Sequence, residues 1–334
     1  MKGDLPLQST RPLSPSQPFT QQAIDFLLEN GLYVSTALMV VVFALMLPSF
    51  FSLENGLNIL SSAALKGIIA AGFFIALSAG LIDTSILGVA AVSTVLTGVL
   101  FQELGWPLWA TLLGVAAASL VMAALNDALV VRAKINSFVA TTATSGIFLG
   151  VCLALTNGQT ISITRPELQA VLLARPLGVP VSIWLMFACY LAGYVMLNHT
   201  RLGAHLYSTG ANHHAARVNG VPVNRVTFTA FALCAIASAL GTVLATARAG
   251  GTLLFGTQFL TFDLTEIFTA VLLGGASLFG GSGKIERNLV AVLFLTVLAN
   301  GLQLLQAGTG IWLVLKGGAF VAAIILDVVR QRRL

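Results

Sequence analysis

Residues 226–248 read VTFTAFALCAIASALGTVLATAR. No side chain in this run is charged until Arg248, its last position. As an α-helix the run rises about 34 Å at ~1.5 Å per residue, enough to cross the ~30 Å hydrocarbon core of a bilayer. It lacks the polar–apolar alternation of a barrel strand and is too long for one. Working outward, nine more windows of the same kind appear, giving ten in all: roughly 32–52, 64–82, 85–104, 108–131, 138–157, 179–198, 226–248, 263–282, 288–306 and 309–328. The windows at 85–104 and 263–282 are short, glycine-rich and flanked by irregular sequence. The whole chain of 334 residues is 57% hydrophobic and 9% charged, against ~25% charged in soluble domains. Such a chain cannot solvate its surface, so lipid is its solvent. The fold class is therefore all-α, a polytopic membrane protein of about ten transmembrane helices.

Ten crossings put both termini on one side. With the amino terminus inside, that side collects Lys2, Arg11, Arg132, Lys134, Arg201, Arg217, Arg225, Lys284, Arg287, Arg330, Arg332 and Arg333, twelve of the 17 Lys and Arg. Lys66, Arg165, Arg175, Arg248 and Lys316 fall outside or within spans. This asymmetry matches the positive-inside rule and makes both termini cytoplasmic. The formal charge of +5 thus reports orientation, and nucleic acid is not expected as a partner. Residues 1–30 read as a flexible cytoplasmic tail: MKGDLPLQSTRPLSPSQPFTQQ has four prolines and no apolar periodicity. It also lacks the apolar core and cleavage site of a secretory leader. Residues 31–334 form one membrane domain, with no room for an ATPase module. Cys152, Cys189 and Cys234 sit in apolar segments without metal-ligand spacing and read as small buried residues.

Two connections exceed a turn. On the outer side, 158–178 contains PELQAVLLA, a short surface helix opening at Pro166. On the inner side, 199–225 contains the polar island STGANHHAARVNGVPVNR at 208–225. Asn212 suits the N-cap of about two helical turns over 213–219. Gly220 suits the left-handed position after the helix, and Pro222 prevents continuation. The plain reading is a connecting loop that is locally helical. The sharper one is a helix that docks in a groove of a soluble partner: Ala211, Ala215 and Ala216 permit close approach and Arg217 offers a directional donor. His199, His205, His213 and His214 all lie in this segment. Adjacent His213 and His214 point about 100° apart on a helix, and no carboxylate or cysteine accompanies them, so no metal site is expected.

TRLGAHLYSTGANHHAARVNGVPVNRV at 200–226 resembles the cytoplasmic loop of bacterial ABC sugar-importer permeases of the ribose, xylose, galactose and autoinducer-2 type, the inner-membrane components of binding-protein-dependent transport systems. Thr200, Arg201, Gly203, Tyr207, Gly210, Asn212, Ala215, Ala216, Arg217, Gly220, Val221, Val223 and Arg225 carry the match. Four more stretches follow the family's pattern: LSAGLIDTSILGVAAVS at 77–93, NDALVVRAKINSFVATTATSGIFLGV at 126–151, AVLLGGASLFGGSGKI at 270–285 and LANGLQLL at 298–305. In such importers the loop carries the coupling helix that seats on the ATPase subunit. The resemblance therefore implies an ATPase-coupling role for Gly210, Ala211, Asn212, Ala215, Ala216, Arg217 and Gly220. Three departures lie on the membrane side: one extra residue between Asp83 and Gly88, Asn136 and Ser137 in place of a proline pair, and Glu266 in place of a typical Asp. They bear on which solute is carried, and leave the coupling loop untouched.

Ionisable residues near the membrane interior are costly and usually face a cavity or a partner. The candidate substrate pathway is Asp83, Ser85, Asn126, Phe138, Glu266 and Asn300. Asp83 also reads as a cap at a helix break, and the two amides could equally hydrogen-bond between helices or serve sugar hydroxyls. Asp127 and Lys316 can approach an interface, Lys316 by snorkelling. GGSGKIERN at 280–288 is no phosphate loop, since Leu278 and Ile285 occupy the required Gly and Ser/Thr positions. HExxH and GxSxG are absent, and no catalytic residue is assigned. The expected protein is a multi-pass permease subunit of the bacterial inner membrane that moves a small polar solute, a monosaccharide or related polyol. It binds no cofactor itself; ATP and Mg belong to the partner ATPase. Further partners are a second permease subunit, in a homodimer or heterodimer, and a periplasmic or lipid-anchored solute-binding protein. Alternatives are a branched-chain amino acid or nucleoside ABC permease, or a stand-alone secondary transporter.

Overall fold

The computed structural model describes residues 19–252 and 264–331. Helix α1 (Phe19–Met46) leads to α2 (Leu53–Ser78), whose start is capped by Ser52, the hydroxyl accepting from Asn55 N at 3.2 Å. α2 stops at Gly80, which takes a left-handed φ of +76°. An irregular bridge then opens into α3 (Ile86–Leu96), which continues as a π-helical segment, Thr97–Glu103. α4 (Leu108–Asp127) also ends in a π segment, Ala128–Arg132. α5 (Ser137–Thr156) begins where Asn136 Oδ1 accepts from Phe138 N at 3.0 Å. α6 (Pro166–Leu172) opens on its proline, as the sequence predicts. α7 (Val181–His199), α8 (Arg201–Ala211), α9 (His213–Val218) and α10 (Val223–Ala249) follow, then α11 (Leu264–Leu273), α12 (Ile285–Leu304) and α13 (Thr309–Gln331).

α2 is the central post. It packs on α10, α12, α7 and α11 and is buried along most of its length. Its most extensive packing is against α10: a Cβ at Gly72 would lie 3.1 Å from Cys234 Cα, and one at Gly241 would lie 2.7 Å from Leu65 O. Small residues let the two backbones come this near, the contact that replaces hydrophobic driving force within lipid. α10 packs on α3 and α4 as well, and α3 on α5, so the 226–248 run that announces the fold lies at its centre.

Cross-contacts between connections define two opposite faces. On the first, the α6 face, Ser162 bridges Gly251, Gln102 Nε2 donates to Thr164 Oγ1 at 3.0 Å, and Arg165 Nη1 donates to Phe101 O at 2.6 Å. On the second, the α8–α9 face, Gly281 N donates to Ser78 O at 3.0 Å and Tyr207 Oη donates to Gly283 O at 3.0 Å. Successive membrane helices alternate between these faces.

The structure sharpens the ten windows. Among the described residues, seven helices are long and apolar enough to span a bilayer, and three shorter apolar stretches accompany them: Asn30–Met46, Leu264–Leu273 and Gly310–Ala319. The window at 263–282 is not a continuous span. Only Leu264–Leu273 is helical, because Gly275, Gly280, Gly281 and Gly283 all take positive φ and fold the rest into a turn. The window at 64–82 is displaced, since α2 starts eleven residues earlier, at Leu53, and ends by Ser78. α1 reaches back to Phe19, into the segment read as a tail, while residues 1–18 lie outside the described residues.

Candidate functional site

The polar island folds as two helices. α8 is capped by Thr200, whose hydroxyl accepts from Gly203 N at 3.4 Å. The chain then breaks at Asn212, which is extended (φ −160°, ψ 105°) and caps α9 by accepting from Ala215 N at 2.9 Å. α9 closes with paired bonds: Gly220 N donates to Arg217 O at 3.1 Å and Val221 N to Ala216 O at 3.0 Å, with Gly220 at φ +80°. This is a Schellman ending, which satisfies the last carbonyls of a helix and needs the left-handed residue. Ala216 is buried and anchors α9. Ala215, Arg217 and the 74%-exposed Val218 face outward. Arg217 Nη2 donates to Asn224 Oδ1 at 3.2 Å, which orients its guanidinium along the surface.

Gly210 and Ala211, assigned to the coupling unit by resemblance, belong to α8 and not to the capped helix, which the sequence places over 213–219. Gly210 sits where three backbones meet. A Cβ there would collide with Ser78 O and Gly281 N and lie 3.0 Å from Gly80 N. On Gly281 a Cβ would lie 2.7 Å from Ala211 N, and on Gly280 it would lie 2.5 Å from Gly80 Cα. α8 therefore touches the break after α2 and the turn after α11 directly, main chain to main chain. Tyr207 braces this junction through its bond to Gly283 O. Burial pushes its phenol above the ordinary range, with the Glu286 carboxylate adding to the effect, so the hydroxyl stays protonated and donates.

Three of the six membrane-side candidates meet in one buried network. Asp83 Oδ1 accepts from Ser85 N at 2.9 Å and from the Ser85 hydroxyl. Asn126 Nδ2 donates to Ser85 Oγ at 2.7 Å, and Thr144 Oγ1 donates to Asn126 Oδ1 at 2.7 Å. The chain Thr144–Asn126–Ser85–Asp83 ties α5, α4 and the start of α3 together, and all four residues are buried. The bridge is also sutured to α5: Ile82 N donates to Ser137 Oγ at 3.2 Å and Thr84 N to Thr141 Oγ1 at 3.0 Å. Asn136 and Ser137, which depart from the family's proline pair, thus cap α5 and hold the bridge.

The other three candidates lie apart. Phe138 is half exposed and lines a recess of about 280 Å³ with Thr84, Gly88, Thr142, Ser145 and Leu264. Glu266 is buried in the first turn of α11 and paired with Lys66 of α2 at 2.6 Å. Asn300 exchanges amide bonds with Asn55, at 3.1 and 2.9 Å. Lys316 is buried rather than at an interface, with its ammonium 5.9 Å from the Trp312 ring centre. The sequence reading missed Lys66, Thr144 and Asn55. Each is defined by a partner far along the chain, and no local pattern marks it.

The family described as "Branched-chain amino acid transport system / permease component" matches residues 55–324. The ribose import permease protein RbsC of Escherichia coli K12 is 29% identical over 330 residues, covering 97% of this chain and 100% of that protein. RbsC of Bacillus subtilis 168 is 32% identical over 299 residues, covering 89% and 92%. The L-arabinose transport system permease protein AraH of E. coli K12 is 30% identical over 308 residues, covering 91% and 92%. No solved structure gives a significant match. With seven helices among the described residues long and apolar enough to span a membrane and this family match over most of its length, the chain belongs to the transport-system permease components and is a multi-pass protein of the bacterial inner membrane.

Proposed function

We propose that this chain is the membrane-spanning permease subunit of a binding-protein-dependent ABC importer. It moves a small polar solute, a monosaccharide or related polyol, driven by Mg-ATP hydrolysis on separate subunits. Its relatives' names specify ribose and L-arabinose, and D-allose for AlsC of E. coli K12. The observation that carries the reading is the α8–α9 unit: a short, doubly capped helix presented outward, joined to α2 and α11 through the glycine junction. A stand-alone carrier needs no such docking element. ATPase closure would press on α9, and α8 would pass the displacement to the two membrane segments it touches, shifting the balance of outward- and inward-open states. A second permease subunit completes the pathway and a solute-binding protein delivers the ligand to the α6 face. The family's description favours a second reading, transport of branched-chain amino acids.

The test is a tagged pull-down from native membranes in mild detergent, followed by mass spectrometry, with radiolabelled uptake of ribose, arabinose, allose and leucine in the same strain. We expect an ATPase subunit to co-purify, to be lost on Arg217→Glu, and sugar rather than leucine to be taken up. Ion-gradient-driven uptake by the chain alone in liposomes would instead make it a secondary carrier.

A further inference from the structure

On the α6 face a recess of about 820 Å³ opens between α2, the end of α10 and the α6–α7 connection. The size falls within the ~300–1,000 Å³ range of small-molecule sites. Its lining follows α2 from Leu53 to Leu65, about 18 Å of helix at ~1.5 Å per residue, nearly half the length of α2. Leu65 and Leu244, both buried, form its apolar inner end. Its walls are polar and of both signs, with Arg248, Arg175, Glu54, Asn55, Asn58 and Ser61.

Arg248 organises this recess. Its Nη2 donates to Asn58 Oδ1 at 2.8 Å and its Nη1 to Ser62 Oγ at 3.2 Å. Among the described residues no carboxylate lies within ion-pair distance of it. The guanidinium carries five N–H donors in a fixed fork, so the two bonds set its plane and leave donors for a ligand. On the α2 wall the Glu54 carboxylate and the Ser61 hydroxyl add acceptors, while the Asn58 and Asn55 amide oxygens already accept from Arg248 and Asn300. A sugar hydroxyl both donates and accepts, so a recess lined by both kinds of group suits it. Asn55 is fixed in turn by its paired bonds to Asn300, which gives that sequence-predicted pathway residue a supporting place behind the wall.

We propose that this recess within a single protomer is a holding site for a neutral polyhydroxylated solute, oriented by Arg248. The proposal rests on the permease reading above. Its apolar inner end would stop the solute until the protein changes state.

The test uses cells that express the full chain with its transport partners, with Ser61→Cys as a reporter inside the recess and a membrane-impermeant maleimide added outside. The probes are D-ribose, L-arabinose and D-allose, with L-leucine as control. We expect labelling from outside, slowed by at least one of the sugars and not by leucine. Adding Arg248→Ala should leave labelling without sugar unchanged, showing an intact fold, and abolish the protection. Arg248→Lys, which keeps charge and loses the fork, should need about tenfold more sugar. No labelling from outside, no protection by any sugar, or equal protection in Arg248→Ala overturns the proposal. Labelled-sugar uptake in the same cells separates the two readings. Uptake without protection removes the site and keeps the permease; protection without uptake keeps the site and removes the permease.

Discussion

At Asn212 one side-chain oxygen holds the first turn of α9. Replacing such a cap by alanine costs about 1 kcal/mol. In Asn212→Ala the amides of 215–218 should therefore exchange about fivefold faster in nanodisc-embedded protein, while Asn212→Asp keeps the native rate; equal rates in all three proteins would deny the cap its role. Ser85 carries a different burden, because it both donates to Asp83 and accepts from Asn126. Ser85→Ala leaves the buried Asn126 donor unpaired, at about 1–3 kcal/mol, and removes one of the two bonds Asp83 accepts from Ser85; it should lower the thermal midpoint of the detergent-solubilised protein more than Thr142→Ala on the exposed side of α5 does. The cap was legible because its signals are adjacent: Asn, two turns, Gly, then Pro. The Ser85 network was only half legible. Asp83 and Ser85 are two residues apart, but Asn126 and Thr144 join them through tertiary packing that no local pattern encodes.

At the scale of elements, α2 and α11 are pinned by Lys66 and Glu266, 200 residues apart in the chain. Lys66 is 20% and Glu266 7% exposed, so the loss of about 3–5 kcal/mol on removing one partner of a fully buried pair is an upper bound here. Lys66→Met should therefore destabilise strongly, and adding Glu266→Leu should recover most of the loss; a double-mutant cycle on thermal midpoints reads the coupling, and additive losses would show that the pair is not an interacting unit. α8 went unseen in the sequence, since a polar eleven-residue helix has no apolar span to announce it. Its buried side, Gly203, Leu206 and Thr209, becomes meaningful only with α2 and α11 in place. The window at 263–282 was overextended for the opposite reason: hydropathy registers LLGGASLFGG as apolar but is blind to backbone angles. Gly210→Val should separate α8 from Gly281 and lower the amount of ATPase that co-purifies, with thermal stability reduced as well. Unchanged values for both would mean that the junction tolerates a side chain.

For the molecule as a whole, the two faces follow from contacts alone, whereas the basic residues predict which side of the membrane each occupies. Leu177, on the α6 face, and Val218, on α9, are both highly exposed. Leu177→Cys should react with an impermeant maleimide in intact cells, and Val218→Cys only after the membrane is opened; the reverse pattern would invert the orientation. Hydropathy alone carried the fold class and the approximate number of crossings, because lipid leaves a chain this apolar few other arrangements. It could not order the helices around α2, which depends on where Gly72 and Gly241 let the backbones approach. The meeting of Gly80, Gly210 and Gly281 has a mechanical consequence. Side chains yield by changing rotamer, and a joint built from them is compliant. This joint meets main chain to main chain with Tyr207 bracing it from the side, so it is the stiffer kind: a displacement imposed on α8 passes to the ends of two membrane segments with little loss.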